Sequence, residues 1–188
     1  MPGTLPDIHN LIHTYAPGFL IAGRYRLLNR IGSGGAGEVW RAVDVYGGSA
    51  PVAIKILRCD VGSNVARERF DSEVRSLALL QAHRNVVRML DCGEADGQPF
   101  LVMEHLELSL HAWLEDHRTR LQFPPLSTVC RLFQHVCEAM ATAHHLRNPG
   151  PITHRDINPQ NVMLVCNCDE EWVAKLLDFG VAKVGSRS

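Results

Sequence analysis

The spacing of hydrophobic and polar positions changes along this chain, and each change marks a different kind of element. From Arg24 onward, short alternating runs at Tyr25 to Ile31, Glu38 to Val43 and Val52 to Leu57 are separated by glycine-rich or Gly-Gly-Ser-Ala-Pro turns. That two-residue period predicts an antiparallel sheet. Phe70, Val74 and Leu77, continued by Leu79 or Leu80, then recur at three- and four-residue spacing among Arg67, Glu68, Arg69 and Asp71. A helix is expected there, with its apolar face on the sheet. Val86 to Asp91 and Phe100 to Glu104 read as further strands joined through Gly93, Asp96 and Gly97, which makes a sheet of about five strands. Beyond Leu106 the period is helical. Ser127 is the expected N-cap of a core helix with Val129, Leu132, Phe133, Val136, Met140 and Ala143 as its apolar stripe, and Asn148-Pro149-Gly150-Pro151 ends it. Val162 to Val165 and Val173 to Leu177 then read as a small hairpin. Residues 1–23, rich in proline and glycine around Leu11-Ile12, form an irregular N-terminal extension or short helix.

Composition narrows the classes without choosing one. With 46% hydrophobic and 21% charged residues, the 188-residue chain is an ordinary globular protein with length for a sizeable core. Nineteen basic side chains nearly cancel twenty acidic ones, so there is no broad positive field and no nucleic acid is expected as partner. Lys55, Lys175 and Lys183 are the only lysines, so a lysine here asks for a reason. No charged leader precedes Arg24 and no apolar run approaches the roughly 18 residues of a membrane span. A cytoplasmic location with no membrane segment in this chain is expected. The six cysteines show no repeated pair spacing, which favours reduced thiols. Cys166-Asn167-Cys168 has no second pair, and His9 and His13 have no third ligand, so neither is assigned a metal.

Candidate chemistry sits on four motifs. Gly32-Ser33-Gly34-Gly35-Ala36-Gly37 has GxGxxG spacing, and glycine is needed where backbone N–H groups must approach phosphate oxygens closely. A dinucleotide-binding unit opens the same way but needs a helix directly after the loop. Glu38 to Val43 alternates like a strand instead, so the loop folds between two antiparallel strands. In the next strand, Val52-Ala53-Ile54-Lys55 places a compact ammonium, suited to clamping phosphate, on the loop side. Glu73, between Phe70 and Leu77 in the following helix, is its favoured ion partner, with Glu68 as competitor. His154-Arg155-Asp156-Ile157-Asn158-Pro159-Gln160-Asn161 sets an aspartate and an asparagine five residues apart, and Asp178-Phe179-Gly180 follows a hairpin later. Asp156 can accept a hydroxyl proton, while Asn161 and Asp178 offer the hard oxygens that Mg²⁺ prefers.

Four motifs in this order resemble the eukaryotic-type protein kinases, and among them the chain looks most like bacterial serine/threonine kinases, from Tyr25-Arg26-Leu27-Leu28 through Asp178-Phe179-Gly180-Val181-Ala182-Lys183. The resemblance implies an α+β, two-lobed fold. Residues 24–103 would be the N-lobe, an antiparallel sheet plus one helix, and 104–188 the hinge and a mainly helical, incomplete C-lobe. It implies ATP and Mg²⁺ as ligands and a protein substrate with a serine or threonine hydroxyl. Ile31 to Gly37 would cradle the phosphates. Met103 would be the gatekeeper, Glu104-His105-Leu106 the hinge whose Glu104 carbonyl and Leu106 amide meet adenine, and Val39, Ala53 and Met163 the residues sandwiching the ring. Leu77, Met89, His154 and Phe179 match the family's stacked internal spine, which makes His154 a packing residue.

Two departures bear on activity. The family usually carries lysine where this chain has Asn158, and losing one donor aimed at transition-state charge typically costs roughly 10²–10³-fold in rate, part of which an amide can recover. Eight residues follow Gly180, so the activation segment, the Ala-Pro-Glu motif and the later helices are expected to be missing, which would expose apolar surface of the helical lobe. The leading expectation is therefore the ATP- and Mg-binding portion of a serine/threonine protein kinase. The alternatives are a truncated nucleotide-binding pseudokinase or interaction module without phosphotransferase activity, and a truncated product with no role.

Overall fold

The computed structural model of the chain describes residues 15–34, 37–48, 50–57, 64–148, 150–167, 171–179 and 183–184. Its larger sheet contains β1 (Leu20–Ile21), β2 (Tyr25–Gly34), β3 (Gly37–Asp44), β4 (Pro51–Leu57), β5 (Met89–Ala95) and β6 (Gln98–Glu104), in the order β1-β2-β3-β4-β6-β5. Helix α1 (Asn64–Leu80) crosses from β4 to β5. Below, α2 (Leu110–Thr119) and α3 (Leu126–His144) flank a small sheet in which β9 (Val162–Cys166) pairs with β7 (Leu108–Ser109) and β10 (Trp172–Leu176). A last pair joins β8 (Ile152–Thr153) to β11 (Lys183–Val184). The result is a two-lobed α+β fold.

Two apolar clusters explain why β4 and β6 are nearly continuous in hydrophobicity. Tyr25, Leu27, Trp40, Ile54, Ile56 and Phe100 pack on one face of the sheet. Leu57 and Leu101 join Phe70, Leu77 and Leu80 of α1 on the other, in a cluster that runs on through Val86, Leu164 and Leu176 into the lower lobe. Central strands buried on both faces lose the polar half of their alternation.

The structure departs from the sequence reading in four places. The larger sheet has six strands, because Leu20–Ile21 extends it: the Leu27 N–H donates to the Phe19 carbonyl at 2.9 Å, and Ile21 is fully buried. The strand expected from Val86 begins at Met89, because residues 85–87 are tied to the lower lobe instead. The Leu176 N–H donates to the Asn85 carbonyl at 2.8 Å, the Val87 N–H to the Leu176 carbonyl at 3.0 Å, and Asn85 Nδ2 to the Ala174 carbonyl at 2.8 Å. Ser127 is not the cap of α3. The helix begins at Leu126 with Pro125 in the cap position and no side-chain cap, since proline's fixed φ already suits a helix start. The buried face of α3 runs through Leu132, His135, Ala139 and Ala143, while Phe133 is 68% exposed. Phe133, Val136 and Trp113 instead border an apolar hollow of about 240 Å³ beneath Ile157 and Pro159.

Candidate active site

A cleft of about 660 Å³ separates the lobes, within the roughly 300–1,000 Å³ usual for small-molecule sites. Its roof is built by strand register. Val39 lies opposite Lys55, and Ala53 is flanked by Arg41 and Met103, so every second residue of β3, β4 and β6 shares one face. Gly37 makes this approach possible. With φ of +139°, it sits where an added Cβ would fall 2.0 Å from the Ile56 carbonyl oxygen. Ile31 and Gly32 line the cleft, whereas Ser33 and Gly34 sit at the hairpin tip opposite Glu38 and Gly37. Gly35, Ala36 and Gly180 lie outside the described residues, as do His9, His13 and Cys168.

Lys55 meets its sequence-predicted partner. Its Nζ lies 2.7 and 2.8 Å from the two Glu73 carboxylate oxygens and 3.3 Å from Asp178 Oδ1. Glu73 is buried, whereas the competitor Glu68 is exposed on the outer face of α1. Burial alone would push the Lys55 ammonium down. Glu73 first and Asp178 second outweigh that, so its pKa stands above the ordinary lysine value and it remains charged.

The lower wall is organised around His154, which is fully buried with its ring 4.7 Å from that of Phe179 in an edge-on contact. Its Nδ1 accepts the Asp156 N–H at 3.3 Å, so the proton sits on Nε2 and is donated to the Leu177 carbonyl at 2.6 Å. With both nitrogens used, His154 is a packing and tethering group. It also pins two strained neighbours, Arg155 at φ +68° and Asp178 at φ +56°. Such left-handed conformations cost about 1–3 kcal/mol each and persist where surrounding structure fixes them.

Asp156 is caged by amides. Asn158 Nδ2 donates to its Oδ1 at 3.0 Å, and Asn161 Nδ2 donates to its Oδ2 at 3.0 Å and to its backbone carbonyl at 2.9 Å. Asn158 Oδ1 in turn accepts the N–H groups of Gln160 at 2.9 Å and Asn161 at 3.2 Å. Asn161 and Asp178 line the cleft floor with Met163 and Leu177, while Asp156 stands beside it through Asn161. The donor set of Asn161 and Asp178 is all oxygen on the ligating side, which suits a hard divalent cation.

At the hinge, Met103, Glu104 and Leu106 all border the cleft. Lys175, the second of the three lysines, donates to Glu104 Oε1 at 2.6 Å, and the same oxygen accepts the Arg88 N–H at 2.7 Å. His105 of the expected hinge and Gln160 of the aspartate–asparagine loop also line the cleft, as do Asn29, Arg41 and Glu107, which sequence reasoning missed. The signal for Arg41 was available, since it stands two residues after Val39 on the same strand.

A glycine-looped sheet over a lysine–glutamate pair, with an aspartate–asparagine loop and a second aspartate below, is the arrangement of a protein-kinase domain. The protein kinase domain family matches residues 25–188, and the chain belongs to that family, where it is most similar to bacterial serine/threonine kinases. It is 34% identical over 173 residues to serine/threonine-protein kinase A of Synechocystis sp., covering 88% of this chain and 32% of that protein. It is 39% identical over 171 residues to serine/threonine-protein kinase pkn2 of Myxococcus xanthus, covering 90% of this chain and 19% of that protein. A probable serine/threonine-protein kinase PknB of Lactococcus lactis is 33% identical over 175 residues, covering 91% of this chain and 26% of that protein. The chain thus spans 19% to 32% of the length of these curated relatives.

Proposed function

We propose that this chain binds ATP and Mg²⁺ and that it contributes the phosphoryl-transfer site of a serine/threonine protein kinase acting on a protein hydroxyl. The observation that carries this reading is the convergence of Lys55, Glu73, Asn161 and Asp178 on one cleft whose other end is bounded by Met103, Glu104 and Leu106. The base lies between Val39, Ala53 and Met163 and meets the hinge backbone. Ile31 to Gly37 cover the phosphates, and Lys55, oriented by Glu73, clamps them. Asn161 and Asp178 would hold the magnesium, whose chemistry there would be neutralisation of phosphate charge. Asp156 accepts the proton of the serine or threonine hydroxyl as its oxygen bonds to the γ-phosphorus, and the bond from that phosphorus to ADP breaks. Asn158 orients Asp156 but brings no positive charge.

With Leu20–Ile21 added to the sheet of residues 24–103, this stretch acts as the upper lobe and 104–188 as hinge and lower lobe. Among the described residues no helix is long and apolar enough to cross a membrane; the proposed role is cytoplasmic signalling, and the near-neutral charge supports a partner other than nucleic acid. Thermal shift with ATP, with and without Mg²⁺, tests binding: stabilisation that needs both is expected, and none at all would sink the reading. Transfer of labelled phosphate to a generic basic protein tests the chemistry. A Mg²⁺-dependent shift without transfer would select the pseudokinase alternative, which the missing cation at Asn158 favours.

A further inference from the structure

Arg41 lies on β3 two residues beyond Val39, in register with Asn29 of β2 and with Ala53 of β4. Val39 faces Lys55, and Ala53 faces Met103 at the end of the gatekeeper strand. With a rise of roughly 3.3 Å per residue, Arg41 stands roughly 7 Å from Val39 on the side away from the glycine loop. That puts it toward the hinge, not among the groups that clamp phosphate. It lines the cleft there beside His105 and Glu107.

The Nε of Arg41 is buried and has no hydrogen-bond partner among the described residues. A guanidinium cannot shed its charge, and a buried N–H without an acceptor destabilises the fold that holds it. With Nε closed off, Arg41 meets the cleft through its other atoms. Its charge is also felt at the hinge: His105 is held below the usual histidine range by burial first and by Arg41 second, with Glu107 opposing.

We propose that Arg41 is a further specificity-determining residue of the nucleotide site, its guanidinium contacting the purine and ribose at the hinge end and leaving the phosphates to Lys55. A planar guanidinium stacks over the rim of the base that Val39, Ala53 and Met163 leave open, and its in-plane N–H groups point past the ring to ribose oxygens. This inference rests on the nucleotide reading above.

Calorimetric titration of wild type, Arg41→Met and Arg41→Lys with ATP·Mg²⁺, adenosine and tripolyphosphate·Mg²⁺ tests it. Arg41→Met should weaken ATP and adenosine by the same factor, roughly 5- to 30-fold as one cation–π and hydrogen-bond contact allows. Tripolyphosphate should stay within about twofold, since screened charge at that distance discriminates little. Arg41→Lys should recover little of the loss, because a point charge does not stack. Melting of the ligand-free variants should match or exceed wild type, because the lost donor had no partner in the fold. Unchanged adenosine affinity, or an equal loss for tripolyphosphate, overturns the assignment to the base. A wild type that binds none of the three probes overturns the nucleotide reading and this inference with it, whereas wild-type binding with an unaffected Arg41→Met overturns this inference alone.

Discussion

The two walls of the cleft hold their functional groups by opposite physical means. Above, Lys55 and Glu73 form a buried ion pair, with side chains 11% and 4% exposed, extended to Asp178. Below, Asp156 is exposed and fixed by neutral amides from Asn158 and Asn161. A buried pair is rigid and strongly charged, and it exposes the fold to a large penalty when one partner is lost. An amide cage directs a carboxylate without neutralising it, at little risk to the fold. Under the proposed function, stabilisation of phosphate charge would fall on the upper wall, and aiming the hydroxyl proton would fall on the lower one.

The largest effect that separates the walls is expected in Asp156→Ala. General-base catalysis contributes roughly 10²–10⁴-fold, so labelled-phosphate transfer should drop by that order while the ATP·Mg²⁺ thermal shift stays unchanged. A lost shift would mean that the two walls are one unit and the division is wrong.

Glu73→Ala probes the upper wall through stability. Removing one partner of a buried pair costs about 3–5 kcal/mol. The value here should lie near about 3 kcal/mol, since Asp178 remains 3.3 Å from Lys55 but is partly exposed and screened. Urea denaturation measures it, and a loss well under about 1 kcal/mol, typical of a surface pair, would refute the description.

The lower wall is predicted to respond chiefly in rate. Asn158→Ala removes a hydrogen bond to a charged acceptor, about 1.5–3 kcal/mol, together with the acceptor of the Gln160 and Asn161 N–H groups, so kcat should fall at least roughly 10-fold, and by more than any change in KM for ATP. A raised KM with kcat intact would show that Asn158 works on the nucleotide and not through Asp156.

These assignments differ in how far the sequence alone reaches. Lys55 and Asp178 were legible because their chemistry is local, a charged residue at fixed spacing from a glycine loop or hairpin. Glu73 was legible over Glu68 because helical period put it between Phe70 and Leu77. The strand at Leu20–Ile21 was not, since two residues cannot show alternation, and its pairing with β2 is a tertiary fact. Residues 85–87 read as strand because they are apolar, but their backbone partners lie in the lower lobe, nearly ninety residues away in the chain. Phe133 fitted the apolar stripe of α3, yet its direction depends on what the helix packs against. The hydrogen-bonding role of Asn158 emerges only from the loop's closed geometry, because spacing marks the position and cannot say where the amide points.

The smallest predicted effect concerns a titratable group that neither wall uses directly. His135 on α3 is buried, and its Nδ1 accepts the Ala174 N–H at 3.2 Å, which ties the helix to the strand leading into Asp178. Burial first and Arg84 second hold its pKa below the ordinary 6.5; Arg131 acts in the same direction, and Glu138 and Glu171 oppose. The folded protein thus prefers the neutral ring more than the unfolded chain does. The contribution is complete above pH 6.5 and is lost as pH falls through the depressed folded value. In His135→Gln, whose amide oxygen can accept the same N–H without titrating, this loss should vanish. Urea midpoints of wild type and variant at about pH 7.5 and about pH 5.5 isolate the effect, because other titrating groups cancel in the difference. Wild type should lose more stability on acidification than the variant, and equal losses would show that the ring carries no pH-dependent load. With each pKa unit worth about 1.4 kcal/mol, the difference should be smaller than the loss from Glu73→Ala, and the order of the two measures how much more the cleft depends on its buried charges than on the neutral contacts beneath it.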